Sequence, residues 1–139
     1  MNQAMTTRVQ QSWQQVIPMG ARAGTLFYQH LFNADPGLRA LFKGDMEQQA
    51  AKLVQMIDVA VSKLNEPAVL LPVLENLGKR HSNYGVLPAH YQVVGAALLL
   101  TLAQGLADAW TPELRAAWEY TYGFIANTMM AAAPQLTTA

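Results

Sequence analysis

The chain has 139 residues, the size of one ordinary domain, and 52% of them are hydrophobic against only 13% charged. Nine basic and nine acidic residues cancel with no basic run, which argues against a nucleic-acid partner or a polybasic membrane contact. There is no cysteine, which excludes disulfides, thiolate catalysis and thiolate metal sites. The polar start MNQAMTTRVQQSW lacks a signal-peptide core, and no apolar run is expected to span a membrane. Residues 1–139 are expected to form a single domain in a reduced cytoplasm, as a monomer or weak homodimer.

Thr6 or Thr7 is expected to cap a first helix whose apolar face is Val9, Trp13 and Val16 or Ile17, ended by Pro18 and Gly20. A second helix is predicted from Ala21 to Asn33, with Leu26, Phe27, His30 and Leu31 at helical spacing and Tyr28 and Phe32 on an adjoining strip. Asp35 followed by Pro36 reads as an N-cap with proline in the first helical position, opening a short helix before Phe42 and Gly44. Asp45 caps the next, predicted to reach Leu64 with Leu53, Met56, Ile57, Ala60, Val61 and Leu64 on one face. One turn before Leu53, that face carries Gln49. A glutamine on an apolar stripe breaks the local pattern, and such breaks favour functional sites.

Pro67 opens the following helix, in which Pro72 is either tolerated early or marks a break. Its stripe of Leu70, Val73, Leu74 and Leu77 runs into His81. Gly85 turns the chain, and Pro88 restarts a helix bearing Tyr91, Val94, Leu98, Thr101 and Leu102. Thr111 and Pro112 repeat the cap-plus-proline signal before a last helix with Leu114, Trp118, Tyr122, Ile125 and Met129. Nothing resembles a strand, hairpin or repeat. The expectation is an all-α domain of about seven helices.

The three histidines, His30, His81 and His90, show no zinc-pair spacing, and there is no phosphate loop or dinucleotide fingerprint. A serine–histidine–acid triad is not excluded by residue order, but no nucleophile elbow marks one. His81 is different: an imidazole ending an apolar stripe is aimed at whatever the stripe buries. On residue type alone it reads equally as a core or helix-end histidine. His30 reads as packing, His90 as a helix-start residue at a rim, and Trp13, Trp110 and Trp118 as structural. A neutral imidazole, an apolar wall, and a phenol (Tyr28) with an amide (Gln49) on other helices are together what a haem iron with one open coordination position requires.

The segments LFYQHLF, PGLRALF, LGKRHSNYGV, HYQVVG and AAWEYTYG follow one another as in bacterial single-domain haemoglobins and the globin domains of flavohaemoglobins, and the resemblance covers nearly the whole chain. It implies a globin fold around a haem b (iron protoporphyrin IX) pocket. It places His81 as the proximal iron ligand, Phe42 against the porphyrin, Tyr28 and Gln49 as distal donors, Leu53 as the distal aliphatic gate and Tyr91 as a proximal tyrosine. Leu77, Tyr84 and Val86 flank His81 as further cofactor contacts, and Lys52 and Arg80 are candidates for the haem propionates. One departure stands out. Where flavohaemoglobins place a glutamate from the last helix beside the proximal histidine, this chain reads MMAAAPQ, which counts against peroxidase-like activity.

Bound oxygen carries partial negative charge, and a hydrogen bond to a charged acceptor contributes roughly 1.5–3 kcal/mol. Two distal donors therefore imply tight binding and slow release, which suits capture of nitric oxide better than delivery of oxygen. The expectation is reversible oxygen binding with nitric oxide dioxygenation, given an external reductase. The alternatives are a sensor or storage module for diatomic gases, and a haem-free helical interaction domain.

Overall fold

The computed structural model describes residues 2–132, and among these all regular structure is helical. The α-helices are α1 (Gln3–Val16), α2 (Ala21–Ala34), α3 (Met46–Ser62), α4 (Pro67–Asn83), α5 (Pro88–Leu106) and α6 (Pro112–Ala132). Shorter 3-10 segments cover Ile17–Met19, Pro36–Leu41 and Ala107–Ala109. Counting the six-residue Pro36–Leu41 segment gives the seven helices expected.

Three helix starts are set by the side chains that the sequence marks. The Asp35 carboxylate accepts from the Gly37 N–H at 3.2 Å, Asp45 from the Glu47 N–H at 2.9 Å, and the Thr111 hydroxyl from the Leu114 N–H at 3.1 Å. The first helix differs from expectation. Asn2, not Thr6 or Thr7, caps α1, accepting from the Met5 N–H at 2.8 Å. Thr6 is buried one turn inside and donates its hydroxyl back to the Asn2 carbonyl at 3.3 Å, so it satisfies itself within the helix instead of starting it. Helix α4 runs unbroken through Pro72, which forfeits a hydrogen bond near the start of the helix.

At the centre lies α2, packed on α3 on one side and α5 on the other, while α4 packs on α6 and α1 crosses α6. Trp13 and Trp118 meet edge to face, with centroids 6.2 Å apart, where α1 crosses α6. Both indoles are satisfied: Trp118 donates to the Ser12 hydroxyl and Trp13 to the Asp58 carboxylate, each at 2.9 Å. Trp110 is half-buried against the same core. These are the structural roles expected of the tryptophans.

One expectation about length fails. The stretch Pro88–Ala109, with mean hydropathy 1.4, is long and apolar enough to cross a membrane by length and composition. Its glutamines and threonine read as interruptions, but it holds no Asp, Glu, Lys or Arg before Asp108. A third of the stretch is buried, and α5 packs against α1, α2 and α6 as a core helix.

Two glycines set how closely the helices approach. A Cβ on Gly24 of α2 would overlap the backbone of Ala50 on α3. A Cβ on Gly78 of α4 would overlap the backbone of Met129 on α6. Tyr28 lies one turn beyond Gly24, Gln49 directly precedes Ala50, and His81 follows Gly78 by less than a turn. The two crossings thus fix the positions of the three polar residues singled out in the sequence. Substituting Gly24→Val is expected to lower unfolding stability by at least about 1–3 kcal/mol, because the added atoms meet backbone that cannot rotate away. Gly123→Ala, on α6 with open space around it, is expected to leave stability unchanged or slightly raised. Equilibrium denaturation of both variants checks this.

Candidate functional site

His81 occupies the last turn of α4, half-buried. Its Nδ1–H donates to the Leu77 carbonyl, one turn earlier on the same helix, at 2.7 Å. A carbonyl only accepts, so the proton sits on Nδ1 and the lone pair on Nε2 points away from the helix, available to a metal. The backbone is tied down as well. The His81 carbonyl accepts from the Val86 N–H at 3.0 Å, which closes the turn containing Gly85. Tyr91, in the first turns of α5, is 9% exposed, and its carbonyl accepts from the Tyr122 hydroxyl at 2.5 Å. Burial raises the phenol pKa of both Tyr91 and Tyr122, and the neighbouring Tyr91 raises that of Tyr122 further.

Tyr28 on α2 is 8% exposed and held by rings. Phe27 and Phe42 meet it edge-on, each at 5.1 Å between centroids, and Phe32 stacks on it at 5.8 Å. Among the described residues its hydroxyl has no hydrogen-bond partner, and no side-chain polar atom among them is sealed from solvent without one. The hydroxyl therefore opens onto accessible space at the edge of the core. Burial pushes its pKa up to about 12, so it stays a neutral donor throughout the physiological range. Gln49 is half-buried on α3, with Leu53 one turn further on. Its side-chain amide is likewise unbonded among the described residues. Phe42, Leu53, Leu77 and Val86 are half-buried apolar residues packed at the margin of the core.

Not every residue singled out in the sequence converges here. Tyr84 is 68% exposed, and Lys52 and Arg80 are exposed beside Leu53 and His81. His30 donates its Nε2–H to the Gln104 carbonyl oxygen at 2.9 Å and links α2 to α5. The Nδ1 of His90 accepts from the Leu87 N–H at 2.9 Å and caps α5. Two surface clefts lie elsewhere, one lined by Arg22, Thr25 and Glu47 and the other by Gln10, Trp13 and Asp58. Within the MMAAAPQ segment, α6 ends at Ala132, and positions 133–135 lie outside the described residues. Sequence reasoning missed Gly24, Gly78 and Arg39. For Arg39 the available signal was its place three residues before Phe42.

The family profile for globins matches residues 25–129. The chain belongs to the globin family. Flavohemoproteins from Bacillus subtilis, Rhodopirellula baltica and Bordetella parapertussis are 31%, 34% and 35% identical to it over 107, 104 and 108 residues. The matches take in 73–75% of the chain but only 26–27% of those proteins, so the chain spans about a quarter of their length. In fold it superposes on a crystal structure of a hexacoordinated heme protein from an anhydrobiotic tardigrade, with a TM-score of 0.87 at 18% identity. That alignment covers 95% of this globin and 94% of the tardigrade chain.

The family implies haem, and the residues present fit it. Among the described residues no group of three or more His, Cys, Asp or Glu side chains could hold a bare metal ion. His81 instead offers one free nitrogen, as a metal already held by four porphyrin nitrogens needs. Phe42, Leu53, Leu77 and Val86 are apolar, and the polar atoms that Tyr28, Gln49 and His81 leave without a partner among the described residues are a hydroxyl, an amide and that nitrogen. These are the atoms that a cofactor and a small polar ligand would occupy.

The phenol of Tyr28 provides a direct check. Its pKa is raised on folding, so the stability it contributes is complete below pH 10 and is lost as pH rises from about 10 toward about 12. In a phenolate absorbance titration of the folded protein, wild type minus Tyr28→Phe should show one phenol ionising well above pH 10. A difference curve centred at pH 10 would mean that the hydroxyl is solvated.

Proposed function

We propose that this globin binds haem b through His81, binds oxygen reversibly opposite it, and consumes nitric oxide as a dioxygenase when supplied with electrons by a separate flavin-dependent reductase. The observation that carries the reading is the pairing of a tautomer-fixed imidazole with two donors, Tyr28 and Gln49, that the protein leaves unbonded. When bound, the haem supplies the coordination position for a diatomic gas and the electron that reduces it.

The chain's own residues do the rest. The Nε2 of His81 would hold the cofactor's iron, and the bond from its Nδ1–H to the Leu77 carbonyl leaves Nε2 as the lone-pair nitrogen of the neutral ring. Opposite it, Tyr28 and Gln49 donate to a ligand that gains negative charge. An oxygen with that charge is retained, whereas an apolar gas gains little from the donors. Both donors are available at once, since neither must first break a protein hydrogen bond. Phe42, Leu53, Leu77 and Val86 keep water from the reacting atoms, which strengthens both hydrogen bonds. The overall conversion balances as one oxygen, one nitric oxide and one electron to one nitrate. Lys52 and Arg80, exposed beside Leu53 and His81, are proposed to meet the acidic edge of the cofactor. The match to one part of the flavohemoproteins supports a reductase as the electron source, acting here in trans.

Stopped-flow mixing of the oxygenated, haem-loaded protein with nitric oxide should give rapid loss of the oxygenated spectrum with stoichiometric nitrate. Persistence of that spectrum would leave a gas-binding module without turnover. Tyr28→Phe should speed oxygen release by roughly ten- to a hundredfold, the equivalent of one hydrogen bond to a charged acceptor. His81→Ala should abolish axial ligation, read from the optical spectrum with and without added imidazole.

A further inference from the structure

Tyr28 is not oriented by a hydrogen bond, so its hydroxyl sits where the surrounding rings put it. Two of those rings form a closed triangle with it. Tyr28 stacks on Phe32 at 5.8 Å, Phe42 stands edge-on to Tyr28 at 5.1 Å, and Phe32 meets Phe42 edge-on at 5.5 Å. Phe27 braces Tyr28 from another direction but belongs to the same helix and moves with it. Phe42 is the corner that lies outside any helix, on the extended residue that ends the Pro36–Leu41 segment.

That corner is closed by Arg39. Its guanidinium lies over the Phe32 ring, 5.8 Å from the centroid, and its Nη1 donates to the Phe42 carbonyl at 2.8 Å. In return the Phe42 N–H donates to the Arg39 carbonyl at 3.2 Å. One exposed side chain thus touches the two outer members of the triangle, one through its π face and the other through its backbone. Of the nine basic residues, Arg8, Lys63 and Arg115 form ion pairs with carboxylates, whereas the guanidinium of Arg39 is spent on two phenylalanines.

We infer that Arg39 is a positioning residue: by clamping Phe32 to Phe42 it fixes the ring of Tyr28, and through it the rate at which a bound gas is released. The inference rests on the distal role proposed above for Tyr28. The Arg39 guanidinium is engaged by the Phe32 ring and the Phe42 carbonyl, so it acts through the Tyr28 ring. A forked cation is needed because the clamp sits over a ring and donates to a carbonyl at the same time; a lysine ammonium can do one or the other.

The test is a cycle on the haem-loaded protein with Arg39→Ala, Arg39→Lys, Tyr28→Phe and the Arg39→Ala/Tyr28→Phe double variant. Oxygen release is read by stopped-flow displacement with carbon monoxide. Arg39→Ala should speed release roughly two- to fivefold, the scale of an exposed cation–π contact, with Arg39→Lys in between. The double variant should release no faster than Tyr28→Phe alone. A second readout needs no gas ligand. In the phenolate titration, loosening the ring admits water and moves the Tyr28 ionisation down toward pH 10, whereas mere loss of a nearby positive charge would move it up. Release at the wild-type rate in Arg39→Ala, an equal acceleration in the Tyr28→Phe background, or an upward move of the ionisation would each overturn the clamp. If Tyr28→Phe alone leaves release unchanged, the distal reading fails instead, and the titration still decides whether Arg39 fixes the ring. Arg39 is exposed, so the variants are expected to fold, with circular dichroism and thermal melting as the control.

Discussion

The bond from the Nδ1–H of His81 to the Leu77 carbonyl is the constraint on which the site depends. In water the two imidazole tautomers lie close in energy and the ring turns freely. Here the ring lies in the last turn of α4 and bonds to a carbonyl of its own helix. The histidine donates to the carbonyl four residues before it, and the single bond settles which nitrogen is basic and where it points. Either tautomer could place a proton on the ring, but only this one leaves the outward nitrogen free to ligate.

A ligating nitrogen is useful only at a set distance from the opposite wall, and that distance comes from how the helices pack. Gly78 seats α4 against the backbone of Met129, and Gly24 lets α2 press on Ala50 of α3. Since α3 packs on α2 and α4 packs on α6, the two sides of the site are carried by different helix pairs. Neither side is positioned by polar contacts to the other. Backbone-to-backbone contacts deform little, which makes them better rulers than long side chains.

Much of this was legible from sequence because it depended on local signals. Caps at Asp35, Asp45 and Thr111 mark helix starts through a carboxylate or hydroxyl that accepts a free N–H, and those appear as residue types at fixed offsets. The stripe ending in His81 and the glutamine breaking the α3 face follow from helical periodicity alone. What was illegible depended on partners distant in the chain. One misreading was local: Thr6 looked like a cap, although Asn2, four residues before it, is the residue that caps α1. The close approaches of Gly24 and Gly78 require knowing which helix lies across from each. His90 looked like a rim residue but is a capping residue, since a histidine acceptor at the third helical position is not part of the usual cap vocabulary. Tyr84 sits beside His81 in sequence yet faces solvent, because the turn closed by the Val86 N–H carries its ring outward.

The distal side follows a logic opposite to that of the proximal side. His81 is fixed by a hydrogen bond, whereas Tyr28 is fixed by packing and makes none. A phenol has one proton to give. Had the fold used it to anchor the ring, a ligand would have to compete with the protein for it, and the gain on binding would shrink to the difference between two hydrogen bonds. Anchoring by aromatic edges and faces leaves the donor unspent, so the whole bond is gained when an acceptor arrives and little reorganises in forming it. The cost is a hydroxyl without a protein partner on a largely buried side chain, tolerable because the oxygen itself opens onto accessible space. Such an arrangement also makes the strength of the bond depend on ring geometry. On the reading proposed above, residues as remote as those at the end of the Pro36–Leu41 segment would bear on how long a ligand stays.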